Sequence, residues 1–258
     1  IMSLFKAGSE NQNKMGRIMV LNDAAHSLGA WYKKGMRTGS ETDVAIFSFH
    51  AVKNVTTAEG GAICLNLPEP FNNEELYKEL RQMSLNCQTK DAFTKSKAGG
   101  WRYDIVGFGM KINMADVNAA IGLSQIRQYD QLLQERQRIF QLYNNAFCEY
   151  DWAILPPERR KERKTSYHIY ALRISNFNEE QRDAMIEEIT KQDVAVNVHF
   201  IPMPMLTFFK EMGYDINNYP VAYDNYKSEI SLPIYPQLTD EQVEYVIKTV
   251  IDAYQKVK

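Results

Sequence analysis

The sequence predicts an α/β fold in two parts, and three observations predict it. Three short apolar runs, Ile18-Met19-Val20-Leu21, Val44-Ala45-Ile46-Phe47 and Ala62-Ile63-Cys64-Leu65, are bounded by polar or glycine residues and read as buried strands. Helical periodicity then dominates from Met114 to Phe147. Beyond Pro156-Pro157 the pattern returns to strands and capped helices, which marks a smaller α/β domain. The expected division is 1–147 and 148–258, with the long helical stretch closing the first part and linking it to the second.

Taken in order, residues 1–17 are polar and lysine-containing, a helix or loop leading into the first strand. Gly35 to Ser40 has loop composition, and its basic residues, Arg37 among them, face either a phosphorylated ligand or solvent. Over 73–84, Leu76, Leu80 and Met83 recur at helical spacing among charged positions. Residues 86–104 read as a long loop closed by Trp101-Arg102-Tyr103; such loops are binding elements or plain surface excursions. From 114 to 147, Val117, Ala120, Ile121, Leu132, Ile139 and Tyr143 belong to a broad apolar stripe, and Gly122 beside Ala119-Ala120 lets another backbone approach.

The basic run from Arg159 to Lys164 is interrupted by Glu162 and reads as a solvated loop. Tyr167 to Ile174 and Val194 to His199 read as strands. Asn178 with Gln181, and Thr239 with Gln242, have the spacing of a capping box. Met185, Ile186 and Ile189 line the first of the two helices that follow; Val243, Ile247, Val250 and Tyr254 line the second.

Composition narrows the function classes. Across 258 residues, 30 basic and 32 acidic side chains nearly cancel, so nothing global favours nucleic acid or a membrane surface as partner. No apolar run approaches the roughly 20 residues of a membrane helix, and no signal-peptide pattern opens the chain. Cys64, Cys87 and Cys148 are scattered, form neither a metal-ligand spacing nor a disulfide framework, and fit a cytoplasmic protein.

The chemistry gathers between Asp23 and Gly61. Asp23 ends the first apolar run, Ser48 ends the second, and Lys53 follows five residues later. Open α/β sheets place their ligands at such strand ends. A carboxylate, a hydroxyl and an amine together suit an enzyme holding pyridoxal phosphate. On spacing alone, a solvated lysine and a helix N-cap aspartate explain the same residues.

The words themselves go further. Asp23-Ala24-Ala25-His26-Ser27-Leu28-Gly29-Ala30, Phe47-Ser48-Phe49-His50-Ala51-Val52-Lys53-Asn54 and Glu59-Gly60-Gly61 closely resemble the signature of the DegT/StrS-type sugar aminotransferases. These are pyridoxal-phosphate enzymes of the aspartate aminotransferase fold (fold type I). Gly109 to Asp116 followed by Asn118 to Gln125, and Ser231 to Pro236 followed by Gln242-Val243 and Tyr245-Val246-Ile247, match the same family in the same order.

The resemblance implies a three-layer α/β/α large domain, of which this chain carries the C-terminal portion, plus a small C-terminal α/β domain. In the family much of the cofactor domain precedes the aspartate, whereas here it lies close to Ile1, so the chain resembles the C-terminal part of a longer protein. The implied cofactor is pyridoxal 5′-phosphate. Lys53 matches the lysine that bonds its aldehyde, and Asp23 the partner of the pyridine nitrogen. His26 matches the residue beside the phenolic oxygen, and Ser48 a phosphate hydroxyl. Asn113 matches a residue reaching the phosphate from a neighbouring subunit, with helix N-cap as its alternative. His50, His168 and His199 are pocket or packed histidines.

The activity implied is transfer of an amino group, usually from L-glutamate, to a keto carbon of a nucleotide-linked deoxysugar. The assembly implied is a homodimer with shared sites. A dehydratase of the same family is the alternative, but those members carry histidine where Lys53 stands. A non-catalytic cofactor- or sugar-binding regulator is the other.

Overall fold

Residues 4–32, 35–98 and 100–258 are described by the computed structural model, and the expectations touching residues 1–3, 33–34 and 99 lie outside them. The chain divides into two units, Ile1–Gln128 and Tyr129–Lys258.

In the first unit, α1 (Glu10–Met15) begins at a capping box: Ser9 Oγ accepts the Gln12 N–H and the Gln12 side chain accepts that of Ser9. Strand β1 (Leu21–Asp23) runs parallel to β4 (Val44–Ser48), which pairs antiparallel with β5 (Gly61–Leu65). The strand starts at Leu21 rather than Ile18, because the Val20 N–H donates to the Asp43 carboxylate at 2.8 Å, outside the ladder. The Gly35 to Ser40 loop contributes β3 (Met36–Arg37), which forms a hairpin with β2 (Trp31–Tyr32) and lays the Arg37 guanidinium 4.8 Å from the Trp31 ring centroid.

Alternation sends Ala45 and Phe47 to one face of the sheet, where they bury with Ala24 against Leu28, Phe49 and Cys64. Leu21, Ile46 and Ile63 alternate with them and are exposed. Asp23 and Ser48 share that second face at the carboxyl ends of the two parallel strands. Helix α2 (Asn73–Met83) starts at Asn72, whose side chain accepts two N–H groups. The loop after it contains one short helix, α3 (Ala92–Lys95).

The helical stretch from Met114 is two helices, α4 (Asp116–Arg127) and α5 (Tyr129–Phe147), broken at Gln128. The division falls at this break rather than after Phe147, because Ile139, Phe140, Tyr143 and Phe147 are buried in the second unit's core.

The second unit contains β6 (Ala153–Ile154), β7 (Arg159–Arg160), β8 (Arg163–Lys164), β9 (Tyr170–Ile174), α6 (Glu179–Thr190), α7 (Thr207–Glu211), α8 (Pro220–Tyr226), β10 (Glu229–Leu232) and α9 (Asp240–Val257). Its sheet is antiparallel in the order β10-β9-β6. Both capping boxes form, at Asn178 and Thr239, and α5 and α6 each pack on α9. Tyr170, Leu172 and Ile174 face the core between sheet and helices. The Phe140 ring meets Tyr170 edge-on at 4.9 Å.

Two readings of this half are corrected. The basic run at 159–164 is a hairpin, β7 with β8, turned by Lys161 at φ 56°. Val194 to His199 is not a strand: only Asn197 pairs, with Ser231, and the next available N–H donor in that direction, His199, turns to the Glu229 carboxylate.

Candidate active site

Asp23 and Ser48 reach the same sheet edge because β1 and β4 are parallel and adjacent, with Asp23 opposite Ile46. Asp23 Oδ1 accepts the Ala25 N–H at 3.1 Å, which turns the chain out of the strand. The Ser48 hydroxyl accepts the His50 N–H at 3.3 Å and begins the excursion that carries Lys53.

Phe49 closes the neck of that excursion. Its N–H donates to Gly60 O at 2.8 Å, and its carbonyl accepts the Thr57 N–H at 2.9 Å. Inside it, the Lys53 N–H donates to His50 O at 3.0 Å, and Asn54 Nδ2 donates to Leu28 O at 3.4 Å. The second bond ties the Lys53 turn to the segment that follows Asp23.

Lys53 is half-buried and Asp23 exposed. Burial pushes the Lys53 ammonium below its ordinary pKa, and the Asp23 charge pulls the other way. Among the described residues no ion pair within 4.0 Å joins them. An amine with a lowered proton affinity, felt by a nearby carboxylate but not neutralised by it, is prepared to act as nucleophile and proton carrier.

Of the other expected site residues, His26 is half-buried in the turn after Asp23. Asn113 is exposed, and its Oδ1 accepts from Lys111 Nζ at 2.5 Å. It does not cap α4, whose N-cap is Ala115. No described contact brings Asn113 to Lys53. His50 lies 3.6 Å from Glu59 on the surface. His168 is half-buried, and His199 bonds to Ser231 in the second unit.

Reading the sequence missed what holds the excursion from the far side. Asn118 Nδ2 donates to Thr57 O at 2.6 Å and to Glu59 O at 3.4 Å. One helical turn on, Gly122 is packed so closely that a Cβ there would sit 2.7 Å from Thr57 Cγ2. The available signal was the Asn118–Gly122 spacing of four, an amide and a small residue on one helix face.

A lysine excursion after the second strand of a partly parallel sheet, facing a carboxylate at the end of the first, defines an α/β protein with an amine-centred strand-end site. The chain belongs to the DegT/DnrJ/EryC1/StrS aminotransferase family, whose pattern matches residues 11–251. It is 34% identical over 239 residues to the spore coat polysaccharide biosynthesis protein SpsC of Bacillus subtilis, covering 91% of this chain and 59% of that protein. It is 29% identical to a UDP-4-amino-4,6-dideoxy-N-acetyl-beta-L-altrosamine transaminase of Campylobacter jejuni, covering 96% and 62%. Among solved structures, Spr1654 of Streptococcus pneumoniae, described as a sugar aminotransferase, superposes in its PMP form with a TM-score of 0.91 and 40% identity, covering 100% of this chain and 64% of that one. Its PLP form superposes at 0.90. The chain thus spans about three-fifths of the length of these relatives.

Proposed function

We propose that the whole protein is a pyridoxal 5′-phosphate-dependent aminotransferase. It moves an amino group from an amino-acid donor, L-glutamate, to a keto group of a nucleotide-linked deoxysugar in cell-surface polysaccharide synthesis in the cytoplasm. One observation carries the reading: the half-buried Lys53 amine, its proton affinity lowered, lies within electrostatic reach of Asp23 with no ion pair between them. The names of the relatives, a spore coat polysaccharide protein and a UDP-aminosugar transaminase, support the substrate class.

The donor set fits the cofactor. Lys53 would hold its aldehyde carbon, Asp23 its pyridine nitrogen, Ser48 its phosphate, and His26 would stand beside its phenolic oxygen. When bound, the cofactor supplies an electron sink for charge developing on the donor's α-carbon.

The chain's own residues do the rest. Lys53, once its amine is free, would take up and return a proton at the donor's α-carbon. Asp23 would pair with the ring nitrogen when the cofactor is bound. Ser48, fixed by the His50 N–H, presents its hydroxyl at the strand end. Asn113, exposed and with no described contact to Lys53, serves the site of a second subunit in a homodimer.

The test uses full-length protein loaded with pyridoxal phosphate, reduced with borohydride, digested and mapped by mass spectrometry. The cofactor mass on the peptide containing Lys53, and its loss in Lys53→Ala, is the expected result. A label on another lysine, or one that persists in Lys53→Ala, refutes the assignment.

A further inference from the structure

The chain leaves the sheet after Ser48 and rejoins it at Gly61, with Lys53 inside the excursion. The return limb turns on Thr57, which is 2% exposed. Its N–H donates to Phe49 O at 2.9 Å and its Oγ1 to Glu59 O at 2.8 Å. Three residues separate Lys53 from Thr57, and the first two, Asn54 and Val55, are buried. A displacement of Thr57 is therefore passed to Lys53 rather than absorbed by slack chain.

Helix α4 holds this limb. Asn118 is half-buried, and its amide carries two N–H donors. Its Nδ2 donates to Thr57 O at 2.6 Å and to Glu59 O at 3.4 Å, so both donors are spent on the return limb. Gly122, one turn on, is the buried residue of α4 and lies against Thr57 Cγ2. Met114, one turn before, packs near Gly60, where a Cβ would sit 3.0 Å from its Cε. The face that meets the excursion is thus uncharged. An amide fixes two carbonyls without bringing a second cation near the Lys53 amine, as a lysine or arginine donor would.

We propose that Asn118 is a positioning residue for Lys53: by holding the Thr57 and Glu59 carbonyls it sets the depth of the amine and its reach to Asp23. The proposal rests on the reading of Lys53 as the cofactor-bearing lysine. Asn118 acts through the return limb, and no covalent bond forms or breaks. Burial lowers the proton affinity of the Lys53 amine, and the Asp23 charge raises it. The titratable groups on the segments that meet here are Asp23 and His26 after β1, and His50 and Glu59 of the excursion, 3.6 Å apart on its surface. A slack return limb admits water to the amine, and its pKa climbs back toward 10.5.

The test is trace acetylation of the cofactor-free full-length protein across a pH series, with each lysine read by mass spectrometry. Lys78 on α2, in the same unit, is the internal reference. In the parent the Lys53 midpoint should lie below 10.5. Asn118→Ala should move that midpoint up and leave Lys78 where it was. At a fixed pH below both midpoints, Lys53 labelling then falls about tenfold for each unit of rise. Asn118→Gln keeps the amide and should stay near the parent. Gly122→Ala pushes the same limb by packing and should shift Lys53 in the same sense.

An unmoved Lys53 midpoint in folded Asn118→Ala, an equal shift at Lys78, or Asn118→Gln behaving like Asn118→Ala overturns the proposal. If Asn118→Ala does not fold, Gly122→Ala decides by the same readout. Borohydride mapping of the loaded protein separates the two claims. Cofactor on another lysine defeats the assignment of Lys53, whereas cofactor on Lys53 with an unmoved midpoint defeats the role of Asn118 alone.

Discussion

Gly122→Ala tests how the Lys53 excursion is held. The added Cβ would lie 2.7 Å from Thr57 Cγ2, closer than two carbons approach without displacement. Thr57 cannot simply rotate away, because its Oγ1 donates to Glu59 O at 2.8 Å. Overpacking of this kind costs about 1–3 kcal/mol, and giving up the hydroxyl bond costs about 1 kcal/mol. Against that, alanine gains about 1 kcal/mol over glycine inside a helix. The net expectation is a loss of roughly 1–3 kcal/mol. Thr57→Ser removes the methyl and keeps the hydroxyl, so Gly122→Ala in that background should be stabilising by about 0.5–1 kcal/mol. The coupling between the two sites is then about 2–4 kcal/mol. Hydrogen exchange at the α4 amides reads this in the first unit even if the two units unfold separately. Equal effects of Gly122→Ala in both backgrounds would refute the packing argument.

Two further outcomes follow from buried charge. Arg17 donates to both oxygens of Asp43 at 2.6 Å, and Asp43 is 3% exposed, so Arg17→Met should cost about 2–4 kcal/mol in urea unfolding. Arg17 holds the Asp43 carboxyl below its ordinary value of 3.8, so the folded state binds protons less readily than the unfolded one. That stability is present above 3.8 and lost as pH falls through the folded value, and the variant should show a shallower acid loss; parallel curves would contradict this. Lys53 has the opposite proton balance: its ammonium is lowered from 10.5 by burial, so the cofactor-free protein should gain stability as pH rises toward 10.5. Lys53→Met should be more stable than the parent at neutral pH and lack that rise, and a rise surviving the substitution would show that the lysine is not its source.

Local signals in the sequence were dependable. The residues that cap α6 and α9, and the spacing of α2, need only neighbours within one turn, and the structure realises all three. Long-range partners set what was not legible. Periodicity runs through Gln128 without a mark, yet the helix breaks there because α5 is claimed by the aromatic core around Tyr170. Val194 to His199 has strand composition but only one partner residue, Ser231. Helices α7 and α8 are too short for propensity to announce them. At the candidate site, Asp23 and Lys53 were singled out by the words around them, whereas the Asn118–Thr57 bond joins residues 61 apart and leaves no local trace.

The same contacts explain why Asp23 and Lys53 are kept near each other without an ion pair. A direct bridge would fix their separation, but it would also stabilise the ammonium and spend the carboxylate. Here the distance is set by uncharged groups instead. Asn54 bonds Leu28 behind Asp23, Phe49 pins the neck of the excursion, and Asn118 holds its far side. Burial can then lower the proton affinity of the amine with no carboxylate bridged to it. Removing one of these neutral ties should therefore loosen the separation while leaving both charges present, a different failure from deleting either charge.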